Sequence, residues 1–160
     1  MPTKPLSSGR DPFADARFKL GTPPDPNPET VWSLWLDTES TPISLFTVTK
    51  TTHRKHYDSA RARVRLPPFS QATKEDVLLY NPQGEITETS VSNVALWRNG
   101  RWLTPPSEAG CLIGTVRRWL LEHHLIEDAD MGVLMKDAVK PGDYVLVFNA
   151  VAGCRLGRIV

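Results

Sequence analysis

Hydrophobic positions change their period several times along the chain, and each change marks a predicted element. From Val31, "VWSLWLDT" sets Val31, Ser33 and Trp35 on one side and Trp32, Leu34 and Leu36 on the other. That pattern predicts a strand covered on both faces or nearly so. "ISLFTVTK", 43 to 50, reads as a second strand. "RKHYDSARARV", 54 to 64, contains neither Gly nor Pro and stops before Pro67-Pro68, which predicts a helix. Strand patterns follow at 76 to 81, 85 to 90 and 93 to 105. The last carries Asn99-Gly100 between two alternating runs, a strong hairpin signal. In "CLIGTVRRWLLEHHL", Leu112, Val116, Trp119 and Leu120 recur at helical spacing, predicting an amphipathic helix with Arg117, Arg118 and Glu122 outward. "GVLM", "DYVLVFNA" and "RLGRIV" read as closing strands, separated by Pro141-Gly142 and Gly153. This strand-rich order with two or three helices predicts an α+β fold on a mixed, largely antiparallel sheet.

Composition adds boundaries to that picture. The chain has 160 residues, about one domain. Half of its 14 prolines fall in the first 28 positions. Proline fixes φ and removes a donor, so residues 1–29 read as a Pro-rich arm or linker and 30–160 as the folded domain. Net charge is +1 with 23% charged residues, which gives no general pull toward acidic polymers. Lys50, Arg54, Lys55, Arg61, Arg63 and Arg65 form a local basic run, but helical wrapping spreads them and no aromatic platform is interleaved. A solvated helix is expected there, not a nucleic-acid surface. Cys111 and Cys154 form neither a disulfide framework nor a zinc pattern. No apolar run approaches the roughly 18 residues of a membrane span, and "MPTKPLSSGR" lacks a signal-peptide core. The expectation is a soluble, cytoplasmic protein.

Candidate chemistry is sparse when each residue is taken alone. Lys50 stands where a strand-like run meets a helix, and among apolar neighbours its ammonium would be disfavoured, leaving an amine able to form a Schiff base. On local sequence alone a snorkelling surface lysine is the simpler reading. Glu85 and Glu88 sit three apart on a β-branched run, hence on opposite faces, so one is expected to be solvated and the other aimed inward. Gly114 opens the amphipathic helix and leaves first-turn N–H groups available to an anion. His53, His56, His123 and His124 lack an evident third ligand, and no metal site is expected. Cys111 reads as a small buried hydrophobe.

Taken in order, however, these segments resemble a known family. "KTTHR", Tyr57, Ala60-Arg61, "EDVLLYNPQGEITETSVSN", "LTPP", "LIGTVRRWLLE" and "GDYVLVFNA" are similar to the class IV aminotransferases, the fold-type-IV pyridoxal-phosphate (PLP) enzymes. The likeness is strongest to fungal-type aminodeoxychorismate lyase, and it covers residues 31 to 160.

The resemblance implies the large C-terminal domain of that fold, a mixed, mostly antiparallel sheet or pseudo-barrel with flanking helices. It implies PLP as cofactor and an amino-acid-like substrate, with a lyase or aminotransferase reaction. Lys50 would form the Schiff base and shuttle a proton; Glu88 would face the pyridine nitrogen and keep it protonated. Gly114, Thr115 and Val116 would offer N–H groups to the phosphate, with Asn149 and Ala150 as a second phosphate-side loop. Ser92 and Asn93 complete the cofactor-binding set. Arg54 or Tyr57 would reach the cofactor's 3-hydroxyl or stiffen Lys50, and Tyr57 joins the catalytic candidates. Two departures from the pattern stand out: His53 replaces an asparagine, and the Pro-rich arm occupies the place of a small N-terminal domain. The alternative is therefore a shortened, repurposed scaffold, cofactor-independent enzyme or partner subunit that has lost the ancestral PLP chemistry. A homodimer is expected, since removing a domain uncovers apolar surface.

Overall fold

A computed structural model of the chain describes residues 31–49, 52–71 and 73–160. The Pro-rich arm and Lys50 lie outside the described residues. In chain order the elements are β1 (Trp32–Leu36), α1 (Leu45–Val48), α2 (Lys55–Arg63), β2 (Glu75–Tyr80), β3 (Ile86–Thr89), β4 (Asn93–Arg98), β5 (Arg101–Thr104), α3 (Thr115–Glu122), β6 (Glu127–Asp128), β7 (Tyr144–Asn149) and β8 (Gly153–Ile159). All eight strands belong to one sheet ordered β3-β2-β1-β8-β7-β4-β5-β6. Four of the seven pairings are antiparallel (β2–β3, β4–β5, β4–β7, β7–β8), and β1 runs parallel to both its neighbours, as β5 does to β6. The fold is α+β, as the element pattern predicts.

Connectivity forces the sheet to curl. β3 and β4 are five positions apart in the strand order, about 24 Å in a flat sheet. Only residues 90–92 separate them, and four peptide steps reach at most about 14 Å. The β3 edge must therefore come round toward β4, and Thr89 N donates to Ser92 O across the link at 2.8 Å.

A curled sheet buries both faces of its central strands, which is why they read as continuous apolar runs. Val145 and Val147 of β7 join Leu34, Leu78, Ile86, Val94 and Leu96 in one core. The alternate residues Leu146 and Phe148 face α3 in a second core with Ala95, Trp102, Leu120 and Leu156. α2 closes a third patch by laying Ala60, with Tyr57 and Val64, on Val77 and Leu79 of β2. The Asn99-Gly100 hairpin forms as predicted, with φ of 50° and 80°, the left-handed pair a tight turn needs.

Four expectations are corrected. β1 is not covered on both faces, because Trp35 is 40% exposed. Residues 43–49, the described part of the run 43 to 50, form no strand: Leu45–Val48 is a helical turn. There Thr47 Oγ1 accepts from Ser44 N at 3.0 Å and donates to Ser44 O at 2.9 Å, local bonds that compete with a ladder. "GVLM" forms only an isolated bridge, Met135 to Glu85, and not a strand. Finally, the basic faces are not all solvated. Arg61 is 2% exposed and Nη1 donates to Asp76 Oδ1 at 3.2 Å and to Ser90 Oγ at 3.0 Å, while Ser90 Oγ donates to Asp76 Oδ1 at 2.5 Å. Arg117 is likewise buried, donating to Pro105 O and pairing with Asp128.

Because Arg61 and Asp76 are both out of water, removing one leaves an uncompensated charge. Arg61→Ala is expected to lower unfolding stability by about 3–5 kcal/mol in urea titrations. Arg101→Ala, which breaks an exposed pair with Glu127, should cost below about 1 kcal/mol.

Candidate functional site

The site assembles where β3 leaves the sheet edge, α2 packs on β2, and the segment before α3 passes between them. Glu88, the third residue of β3, is 4% exposed and has two donors. The Tyr57 hydroxyl of α2 donates to Oε1 at 2.6 Å, and Leu112 N donates to Oε2 at 3.1 Å. Burial pushes this carboxyl up from 4.5 to about 7, against the opposing pull of the Tyr57 and Leu112 bonds and of the Arg54 charge. Burial and the adjacent Glu88 charge together raise the Tyr57 phenol far above its ordinary value.

Arg54 and Tyr57 take different places, which separates two residues that sequence alone left interchangeable. Tyr57 is committed to Glu88. Arg54, at the start of α2, donates from Nη2 to Ser90 O at 2.7 Å and lies over the rings of Phe69 and Tyr57, at 4.1 and 5.0 Å. Its Nε is buried with no hydrogen-bond partner.

On the far side, Gly114 caps α3, and its own N–H donates to Leu112 O at 3.0 Å. Thr115 and Val116 open the helix and have no carbonyl one turn earlier within it. Asn93 donates from Nδ2 to Leu112 O at 2.6 Å. Asn149 ends β7: its Oδ1 accepts from Val151 N and Ala152 N at 2.9 and 2.7 Å, shaping the β7–β8 turn. Its Nδ2 reaches Ser92 Oγ at 2.9 Å and Val91 O at 3.2 Å. Ala150 is exposed on that turn. Glu88, Tyr57, Arg54, Ser92, Asn93, Gly114 and Asn149 are thus linked directly or through Ser90, Val91 and Leu112. Lys50 lies outside the described residues. Among the described residues, no group of three or more His, Cys, Asp or Glu side chains is placed to hold a metal ion.

The expectation that one of the two glutamates is solvated, Glu85 if Glu88 is the one aimed inward, is overturned. Glu85 is 7% exposed; Oε2 accepts from Asn81 Nδ2 at 2.9 Å and Oε1 from Gly132 N at 2.8 Å. It precedes β3, so the two-residue alternation does not reach it. Cys111 matches its reading as a buried small residue, and burial pushes its thiol up to about 11.

Two contributors escaped the sequence reading. Leu112 acts through its backbone N–H, which no side-chain pattern reports. Ser90 braces the link after Glu88 by its hydroxyl and its carbonyl at once. The buried face of α2 did leave a signal: Arg61 follows Tyr57 by four residues and precedes Val64 by three, which places it on the packed side.

Comparison with known proteins places the chain in a family. Residues 16–158 match the family model for amino-transferase class IV. A Schizosaccharomyces pombe protein named "Putative aminodeoxychorismate lyase" is 46% identical over 103 residues, 64% of this chain and 43% of that protein. The aminodeoxychorismate lyase of Saccharomyces cerevisiae is 36% identical over 143 residues, 80% of this chain and 37% of that enzyme. The chain therefore spans less than half the length of the curated relatives it matches. Among solved structures, a branched-chain amino acid aminotransferase from Thermobaculum terrenum in its PLP form superposes with a TM-score of 0.61 at 14% identity. That superposition covers 81% of this chain and 43% of the enzyme and speaks for the fold alone. With the family model matching nearly the whole chain, the chain belongs to the class IV aminotransferase family.

Proposed function

We propose that residues 30–160 form the PLP-binding domain of an enzyme acting on an amino-acid-like substrate, with elimination of the aminodeoxychorismate-lyase type preferred over transamination. The observation that carries the reading is Glu88. It is a buried carboxyl with a phenol and an amide as its hydrogen-bond donors, which leaves lone-pair capacity for a further N–H. A protonated pyridine nitrogen is a group of that kind, and its positive charge would remove the penalty that burial imposes on the carboxylate. Arg54 Nε is a buried donor awaiting an acceptor such as a phenolate oxygen, and the opening N–H groups of Thr115 and Val116 suit a phosphate. The described residues thus fit the cofactor at its nitrogen, its hydroxyl and its phosphate. The preference for elimination comes from the names of the two curated relatives.

Bound PLP supplies an electron sink for the bonding pair released at the substrate's α-carbon. This chain's part is to hold and move protons around it. With PLP bound, Glu88 would hold a proton on the ring nitrogen, Tyr57 would orient Glu88, and Lys50 would attach the cofactor and carry the α-proton. Ser92, Asn93, Asn149 and Ala150 shape the phosphate side. A homodimer and a cytoplasmic setting belong to the same proposal. Exposed Ile43, Leu45, Phe69 and Ile113 support the first, and two cysteines not joined by a disulfide support the second.

Titrating the purified chain with PLP is expected to give a visible absorbance band that borohydride bleaches and that Lys50→Ala abolishes. A protein that stays colourless and takes up no PLP would end the proposal. Glu88→Ala should weaken PLP binding roughly tenfold or more, the worth of a hydrogen bond to a charged group.

Without cofactor, the raised Glu88 carboxyl favours folding while it is protonated. That contribution is complete below about pH 4.5 and is lost as pH rises to about 7, a change on the order of 3 kcal/mol. Urea unfolding between about pH 4 and pH 8 should show this decline, and Glu88→Gln should flatten it.

A further inference from the structure

We propose that Asn93 is a positioning residue that fixes Leu112 between the two ends of the site, tying the support of Glu88 to the opening of α3. Three observations converge on the one residue. Asn93 Nδ2 donates to Leu112 O at 2.6 Å, and Gly114 N donates to the same oxygen at 3.0 Å. Leu112 N, on the other side of the same Cα, donates to Glu88 Oε2 at 3.1 Å. A Cβ placed on Gly114 would lie 2.3 Å from Asn93 Oδ1, so the carboxamide is seated flush against the glycine.

Gly114 has φ −72° and ψ 153°, a conformation open to any residue. Its lack of a side chain is therefore required by the approach of Asn93 and not by the backbone. Asn93 itself has a firm base. It is 6% exposed and begins β4 in register with Phe148, while Asn149 Nδ2 holds the preceding Ser92 at 2.9 Å. Through the bond of its Nδ2 to Leu112 O, Asn93 acts on Glu88 by way of Leu112. The proposal rests on the PLP reading only for its benefit to the cofactor; the relay itself belongs to the cofactor-free chain.

The test follows Glu88 by carbon-13 NMR of glutamate carboxyls in the full chain without PLP, its signal assigned by Glu88→Gln. Among the described residues, the groups facing Glu88 are Tyr57 from α2, Arg54 at its N-cap, Asp76 from β2 and Cys111 beside Leu112, and all stay unchanged in the variants. Asn93→Ala is expected to free Leu112, raise the Glu88 midpoint by about one pH unit and speed exchange of the Leu112 amide roughly tenfold. Gly114→Ala should shift both readouts in the same direction by displacing the carboxamide, and it carries the test if Asn93→Ala fails to fold. In the double variant the added methyl should cost little more, because the atom it meets has gone. An unmoved Glu88 midpoint and unmoved Leu112 exchange in the variants that fold would overturn the relay. A separate fluorescence titration with PLP keeps the two readings apart: a wild type that binds no PLP defeats the proposed function, while the cofactor-free titration still decides the relay.

Discussion

Three residues, 90 to 92, hold the architecture to its shape. They connect an edge strand to one five positions away in the sheet, a junction that a flat sheet cannot make. The resulting curl removes the outer face that β3 would otherwise show to water. Glu88 is therefore inside because of where the chain must turn next. The same turn is braced from both sides: Arg61 holds the Ser90 hydroxyl, Arg54 holds its carbonyl, and Asn149 holds Val91 and Ser92. A small displacement of this link would move the strand that carries the carboxylate.

Burying charge in so small a domain is costly unless each charge finds its counterpart. Most do: Arg61 meets Asp76, Arg63 meets Asp37 and Arg117 meets Asp128. Glu88 differs from these, since its direct partners are a neutral phenol and an amide, while Arg54 Nη2 donates to Ser90 O. The carboxyl is thereby brought near neutrality, at about 7. Asp37 and Asp76 are neutralised by arginine, whereas Glu88, like Glu85, is left to hydrogen bonds.

Much of this was legible in the sequence, and the failures have physical causes. β4, β5, β7 and β8 were readable because their alternation and turn chemistry agree, Asn99-Gly100 above all. The run 43 to 50 misled because β-branched residues suit a strand, while the Thr47 and Thr49 hydroxyls bond the nearby backbone of Ser44 and Leu45. Arg117 misled because its charge suggests an outward side chain, though its position, three before Leu120, faces the core. Of the site, Glu88 and the α3 opening could be placed from ordered motifs. The division of labour between Tyr57 and Arg54 could not, for it depends on which side chain of α2 faces β3 once the helix is docked.

The two glutamates show why period alone is an incomplete guide. A spacing of three puts residues on opposite faces only while both lie in one strand, and only if one face meets water. Here Glu85 belongs to the turn before β3, and the curl leaves neither side of that region open. Both carboxyls are buried with two donors each, so neither burial nor hydrogen-bond number distinguishes them. Their surroundings do. Glu85 is held by Asn81 and by the backbone of Gly132, groups whose other bonds close loops. Glu88 is held by Tyr57 and Leu112, each borne on an element that also lines the path to α3 or Arg54. A carboxylate that staples a turn and one that waits for a ligand have the same local chemistry. What separates them is whether their partners lead back into the scaffold or toward unspent donors such as Arg54 Nε.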